Sequence, residues 1–260
     1  MFLEKLVDSA RRRLELKKAE LPHGEVVYQA LNMPKKIGFP FEKALLTDDI
    51  AFICEIKKAS PTKGIISNDF PYMQIAQDYI SGGAAAVSVL TEPEYFLGSD
   101  KYLQNISDSF AIPTLRKDFI IDSYQIYESR ILGASAILLI AEILNEKSIR
   151  EYIKIAHMLG MSALVESHSL HQMEKAMAAG ARVIGVNNRN LETFEVDINT
   201  SVNLRNKVPQ ELIFVSESGI STPEDIALLR ENKVNAVLIG ETLMRSSERV
   251  KTLERLRRAG

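Results

Sequence analysis

Residues 51–64 read AFICEIKKASPTKG: an apolar run, then Glu55 and Lys57, then a loop of Ser, Pro, Thr, Lys and Gly. Successive side chains of a strand point to opposite faces, so Glu55 and Lys57 point the same way at the tip of a run, Ala51-Phe52-Ile53-Cys54, that looks like core. A surface salt bridge would explain one such tip, since Lys and Glu are usually exposed. It would not explain a set of strand tips charged in the same way.

Apolar runs recur along the chain at 51–57, 84–90, 112–117, 135–141, 162–166, 182–187, 212–217 and 235–240, with amphipathic segments between them. That is the pattern of parallel β/α units. Three runs are entered through Gly83-Ala84, Gly133-Ala134 and Gly180-Ala181, where Gly can end a helix in the left-handed conformation before the strand begins. Helices are predicted in YMQIAQDYISGG, SYQIYESRILG, EKSIREYIKIAHMLG, SLHQMEKAMAAG and STPEDIALLRENK, in one terminal segment, TLMRSSERVKTLERLRR, and near 99–110 and 198–207. Ser221-Thr222-Pro223-Glu224 is a helix start, with a capping hydroxyl and Pro at the first helical position.

Eight strands with about eight following helices predict an α/β fold, a closed (β/α)8 TIM barrel, in preference to an open doubly wound sheet. Residues 1–46 form an N-terminal extension of the single domain 1–260: a helix, then an irregular segment LPHGEVVYQALNMPKKIG lying across the barrel. The basic stretch ARRRLELKKAE carries apolar residues at helical spacing and reads as a solvated helix face.

With 260 residues, 46% of them hydrophobic, the chain can bury a large core, and a formal net charge of −2 gives no basic field for nucleic acid or membrane. Cys54 is the only cysteine and lies in an apolar run, which excludes an intrachain disulfide and points to a buried thiol. The N-terminus lacks the pattern of a secretory signal, and no run approaches the roughly 20 apolar residues of a membrane span. A cytoplasmic protein is expected, with no second enzyme fused after the last helix.

In a (β/α) barrel the active site lies at the C-terminal strand ends. Those ends carry Glu55, Lys57, Lys117, Glu166, Asn187, Arg189 and Glu217-Ser218, a converging ring of charged and amide groups. Buried charges persist when paired or functional. SESGIS and LIGETL place Gly219 and Gly240 where the last two strands hand over to helices, a place where barrels bind phosphate. His168 and His171 stand three apart after Glu166, but with no second carboxylate or Cys cluster beside them they read as exposed helix residues.

Six motifs, CEIKKASPTKG, EYFLGS, LRKDFI, VNNRNLETFEVD, SESGIS and LIGETLM, in this order and spacing, together with the N-terminal LEKLVDSARRRLELKK, resemble indole-3-glycerol-phosphate synthase of tryptophan biosynthesis. The resemblance implies ring closure, decarboxylation and dehydration of 1-(2-carboxyphenylamino)-1-deoxyribulose 5-phosphate, with no metal or organic cofactor. It implies a small phosphorylated substrate, no nucleic-acid or membrane partner, and room for transient association with other enzymes of the pathway. By the same resemblance Lys117 is the general acid and Glu166 takes or relays a proton in dehydration; the reaction itself asks for an acid and a base several ångströms apart. Lys57 would adjust Lys117 electrostatically. Glu55 would orient Lys117 or a substrate hydroxyl, and Asn187 with Ser218 would hold the polar chain.

Arg189 and Lys57 would meet the phosphate with the backbone of Gly219, Gly240 and Glu241. Glu241 departs from relatives that have Ser there, and its carboxylate would repel phosphate unless it points away. Pro61, Phe96, Phe119, Leu138 and Phe194 would form the ring pocket, and the KKASPTKG loop, hinged at Gly64, would be the lid. Two rivals are a phosphoribosyl isomerase, against which CEIKKASP and KDFI speak, and a non-catalytic phosphosugar-binding barrel, which has no use for Lys117 and Glu166.

Overall fold

A computed structural model describes residues 2–34, 37–190 and 193–258. Three helices, α1 (Phe2–Glu20), α2 (His23–Asn32) and α3 (Pro40–Leu45), precede β1 (Ala51–Ile56). A short antiparallel pair follows, β2 (Ala59–Ser60) with β3 (Gly64–Ile65). Strand and helix then alternate: α4 (Tyr72–Ser81), β4 (Ala86–Leu90), α5 (Asp100–Ser109), β5 (Thr114–Lys117), α6 (Ser123–Ile131) and β6 (Ala136–Ile140). The order continues with α7 (Glu146–Met158), β7 (Ser162–Ser167), α8 (Leu170–Ala178), β8 (Val183–Asn187), α9 (Asn199–Arg205), β9 (Ile213–Glu217), α10 (Pro223–Glu231), β10 (Ala236–Ile239), α11 (Glu241–Arg245) and α12 (Arg249–Arg257).

Strands β1 and β4 to β10 pair in parallel and close, β10 and β4 both flanking β1. The eight predicted runs are these eight strands, and the fold is a (β/α)8 barrel. Gly83, Gly133 and Gly180 have φ of 88°, 83° and 90°, the left-handed helix ends expected of them. Thr222 caps α10 in a capping box with Asp225.

Alternation along the strands builds two apolar layers. Ile53, Leu115, Leu164, Val183, Val215 and Leu238 point into the barrel, where Phe41 and Leu45 of α3 close its N-terminal end. Phe52, Cys54, Ile56, Val87 and Ile184 point outward against the helices. Cys54 is fully buried, and burial pushes its thiol well above the ordinary range.

Three expectations are corrected. The segment after α1 is not irregular: Val26 and Ala30, four apart, are buried, Val26 beside Leu14 and Tyr124, and that packing sustains α2 despite Pro22 and Gly24 at its start. Lys35 and Lys36, at the end of that segment, lie outside the described residues. The basic stretch of α1 is solvated only in part: Arg11 and Arg12 are exposed, but the barrel loops offer acids to the rest. Arg13 donates to Asp118 Oδ1 at 2.8 Å, Lys17 to Asp100 and Glu128 at 2.5 Å each, and Lys18 to Asp122 at 2.9 Å. The terminal segment is two helices, because Ser246 is extended (ψ 132°) and its hydroxyl accepts from the Glu248 N–H at 3.1 Å, a local bond that competes with the helix.

Candidate active site

Six of the eight strand rows that face the barrel interior end in a polar group or a glycine at the C-terminal rim, while β4 and β6 end in Leu90 and Ile140. Ile53 leads to Glu55 and Lys57, Leu115 to Lys117, Leu164 to Glu166, Val183 to Gly185 and Asn187, Val215 to Glu217, and Leu238 to Gly240. These ends line a cavity of about 580 Å³, and every site residue named from the sequence borders it, including Pro61, Phe96, Phe119, Leu138 and Phe194 on its apolar side. The Phe96 and Phe119 rings stand 6.4 Å apart. Leu3 and Leu6 of α1 also border it, which the sequence reading did not anticipate.

At its centre, Lys117 Nζ donates to Glu166 Oε2 at 2.8 Å and to Glu217 Oε2 at 2.7 Å. The residues expected to act as acid and base are therefore in direct contact, not several ångströms apart. Burial works against the Lys117 ammonium, but the two carboxylates outweigh it and hold its pKa well above the ordinary lysine range. The carboxylates differ because their other oxygens differ. Burial pushes Glu166 up, yet Lys117, His168 and a 3.3 Å bond from Asn187 Nδ2 to Oε1 bring it below the ordinary value. Glu217 Oε1 is buried with no donor, and burial pushes this carboxyl up to about 7 against the pull of Lys117, with Glu166 and Glu55 adding to the rise. The two acids share one cation and titrate as a pair.

Glu217 was seen in the sequence as one of the ring but given no role. Its position in the inward row Ile213, Val215, Glu217 is the signal that could have assigned it. Gly185 belongs to the same account, because a Cβ there would overlap Glu217 Oε1. Room for the second carboxylate exists because strand β8 carries hydrogen at that position.

Glu55 does not orient Lys117. Its Oε1 accepts from Lys57 Nζ at 2.6 Å, since both side chains leave the same face of one strand two residues apart. Lys57 in turn is neutralised by that partner, and the groups that tune Lys117 are carboxylates. Ser218 and Gly219 both have left-handed backbone, φ 68° and 76°, a turn that aims successive peptide groups at the cavity rim. Asn188, buried and also unassigned from sequence, braces it by donating to the Ser218 carbonyl and Ser216 Oγ at 3.0 Å each. A Cβ on Gly240 would come within 2.7 Å of Glu55 Oε1 and 3.2 Å of Lys57 Nζ.

Glu241 is held by Arg245 Nε at 3.0 Å, so its charge is already matched on the surface of α11. Arg189 borders the cavity, its Nη1 donating to the Phe194 carbonyl at 3.2 Å. Leu191 and Glu192, inside the motif VNNRNLETFEVD, lie outside the described residues. His168 is neither exposed nor helical: it follows β7 directly, with a side chain 12% exposed, whereas His171 is exposed on α8. Among the described residues no three His, Cys, Asp or Glu side chains group as a metal site would require.

The family model described as indole-3-glycerol phosphate synthase matches residues 3–256. The indole-3-glycerol phosphate synthase of Ruminiclostridium cellulolyticum is 52% identical over 257 residues, covering 99% of each chain. That of Endomicrobium trichonymphae is 53% identical, covering 99% of this chain and all of its own. Among solved structures, 3-hexulose-6-phosphate synthase from Salmonella typhimurium superposes with a TM-score of 0.66 over 81% of this chain and 98% of its own; at 14% identity this likeness concerns the fold alone.

Proposed function

The chain belongs to the indole-3-glycerol phosphate synthase family, and from that membership we propose how its barrel end works. The activity is the family's decarboxylative ring closure: 1-(2-carboxyphenylamino)-1-deoxyribulose 5-phosphate gives indole-3-glycerol phosphate, CO2 and water in tryptophan biosynthesis. The observation that carries the residue roles is Lys117, held between Glu166 and Glu217 at one end of a cavity whose other side is apolar.

The anthranilate ring lies among Pro61, Phe96, Phe119, Leu138 and Phe194, and its carbon attacks the ketone as Lys117 protonates the ketone oxygen. An ammonium opposed by two carboxylates is a weak acid. Protonation of Glu217, whose pKa is near 7, removes one opponent and makes Lys117 a better donor. After CO2 leaves, Glu166 manages the proton of the dehydration step, while Asn187 and Ser218 hold the polar chain. Arg189, Lys57 and the backbone at Gly219, Gly240 and Glu241 take the phosphate.

The experiment is an assay with the carboxyphenylamino-deoxyribulose phosphate, following indole fluorescence with chelator present. Wild type should turn over, and Lys117→Ala should lose at least about 10²-fold in kcat with substrate affinity mostly kept. An active Lys117→Ala would remove Lys117 as the acid, and an inactive wild type that still binds phosphate esters would leave a binding barrel. On this reading the enzyme works in the cytoplasm, in transient contact with other enzymes of the pathway. Recovery in a membrane fraction, or no pathway enzyme found beside it after cross-linking in cells, would contradict that placement.

A further inference from the structure

One buried titratable side chain beside the centre has no role in the account above. His168 is fixed through its backbone N–H, which donates to Gln172 Oε1 at 2.7 Å. Its ring nitrogens are both buried with no hydrogen-bond partner, and Nε2 lies 3.7 Å from Glu166 Oε1. The other oxygen of Glu166 is the one bonded to Lys117. Lys117, Glu166 and His168 therefore form a row leading out of the centre.

The row ends at a second cavity of about 500 Å³ that His168 borders, and its lining is polar throughout. Asn187 and Arg189 separate it from the main cavity and border both; Lys117 and Glu166 border the main cavity alone. The charged groups around the imidazole are Glu166 on β7, Glu142 after β6, Arg189 after β8, and Glu195 and Asp197 in the loop beyond. Four carboxylates against one guanidinium draw protons toward this cavity. For packing alone the imidazole is a poor choice, because each buried polar atom left unpaired carries a desolvation cost that an apolar side chain would not.

The reaction, on the reading proposed above, has a proton demand. The ketone takes up one proton and the departing hydroxyl another, while a C–H proton lost as the new five-membered ring becomes aromatic returns one. An ionised carboxylate leaves as neutral CO2, so each turnover takes one proton from solvent. Lys117 must be recharged while substrate fills the main cavity that it borders.

We propose that His168 carries that proton, receiving it from the second cavity and delivering it from Nε2 to Glu166 Oε1; the carboxyl then turns so that this O–H faces Nζ, and the O–H bond breaks as an N–H bond forms on the neutral Lys117 amine. The N–H bond at Nε2 breaks as an O–H bond forms on Glu166, a ring movement that opens the buried Nδ1 to the second cavity lets it be reprotonated from solvent, and no electrons change hands. A shift of under about 1 Å closes the 3.7 Å gap to hydrogen-bond distance. Imidazole suits the task because it has two nitrogens, one of which can accept a proton as the other gives one up. His168 acts only through Glu166 and touches no substrate, so it is a positioning residue for the proton, not a catalytic one.

The test compares wild type with His168→Asn and His168→Gln, which keep a polar side chain of similar reach but cannot relay. Both should lose about tenfold or more in kcat with KM within about twofold. Turnover should become dependent on buffer concentration, and added imidazole should restore part of it. If wild type turns over and both variants match it in kcat and buffer dependence, His168 is no relay. A loss that imidazole does not rescue, or a rise in KM matching the fall in kcat, makes it a structural residue and also overturns the proposal. Failure of wild type itself to turn over would remove the proton demand and with it the functional reading, an outcome distinct from the other two.

Discussion

Glu217 Oε2 accepts from Lys117 Nζ at 2.7 Å, while Oε1 of the same carboxylate is buried against Gly185 with no donor. Half of this acid is satisfied by the residue it tunes, and the other half is left for a proton.

Glu217 keeps its proton in the folded protein up to about pH 7, whereas in the unfolded chain it releases it near 4.5. The stability linked to this group is therefore fully present below about 4.5 and is lost as pH rises through 7. Glu217→Gln should be more stable than wild type at pH 8, by up to about 3 kcal/mol, and the difference should vanish in mild acid. Its turnover should stay within a few fold of wild type at pH 6, where Glu217 is already mostly protonated, and the ratio to wild type should climb as pH rises through 7 because the limb near 7 disappears. Denaturant unfolding and kcat profiles at matched pH check both; a stability difference independent of pH would mean that Glu217 is ionised throughout.

Arg13 of α1 binds Asp118 through two nitrogens, at 2.8 and 3.2 Å, and Asp118 follows Lys117 directly. Burial pushes Asp118 up, but Arg13, Arg116 and Thr91 hold it well below the ordinary carboxylate range. Its stabilising contribution is thus present above the unfolded value of 3.8 and lost as pH falls through the folded one. Arg13→Ala should cost about 3–5 kcal/mol at pH 7, converging on wild type in strong acid. We propose that residues 1–46 and the barrel form one domain, so wild type should melt in a single transition; two transitions would make the extension a separate unit.

Gly240→Ala should push a methyl into the Glu55–Lys57 pair, whose members a Cβ would approach to 2.7 and 3.2 Å. Substrate KM should rise about tenfold or more, with stability changed by no more than about 1–3 kcal/mol. An unchanged KM would take the phosphate away from this end of β10.

Arg189→Ala should raise KM about 10- to 100-fold, the worth of one hydrogen bond to a charged group, with kcat little affected. Competition by inorganic phosphate should weaken in parallel. Equal inhibition of both proteins by phosphate would put the anion elsewhere.

Strands and strand ends were legible because period-two alternation is local: Glu55 and Lys57 reveal their shared face to anyone counting residues. What the sequence did not disclose is which ends meet. Lys117 and Glu217 are 100 positions apart, and their contact is set by closure of the barrel, not by either strand. Glu55 went to Lys57 and not to Lys117 for the opposite reason: the nearer cation stands two residues along, just past the end of its own strand. Helix α2 was hidden by Pro22 and Gly24, local breakers overruled by tertiary burial of Val26 and Ala30. His168 looked like the start of a helix because Ser169, the actual cap, comes one residue later.

Gly185 gives this barrel a diagnostic that a catalogue of catalytic side chains would overlook. A barrel of the same plan that keeps its lysine and both acids but bears any larger residue there cannot seat its second carboxylate as this one does. When genomes are sorted, or a dormant barrel is to be given this chemistry by design, the position to inspect first is one that contributes only empty space.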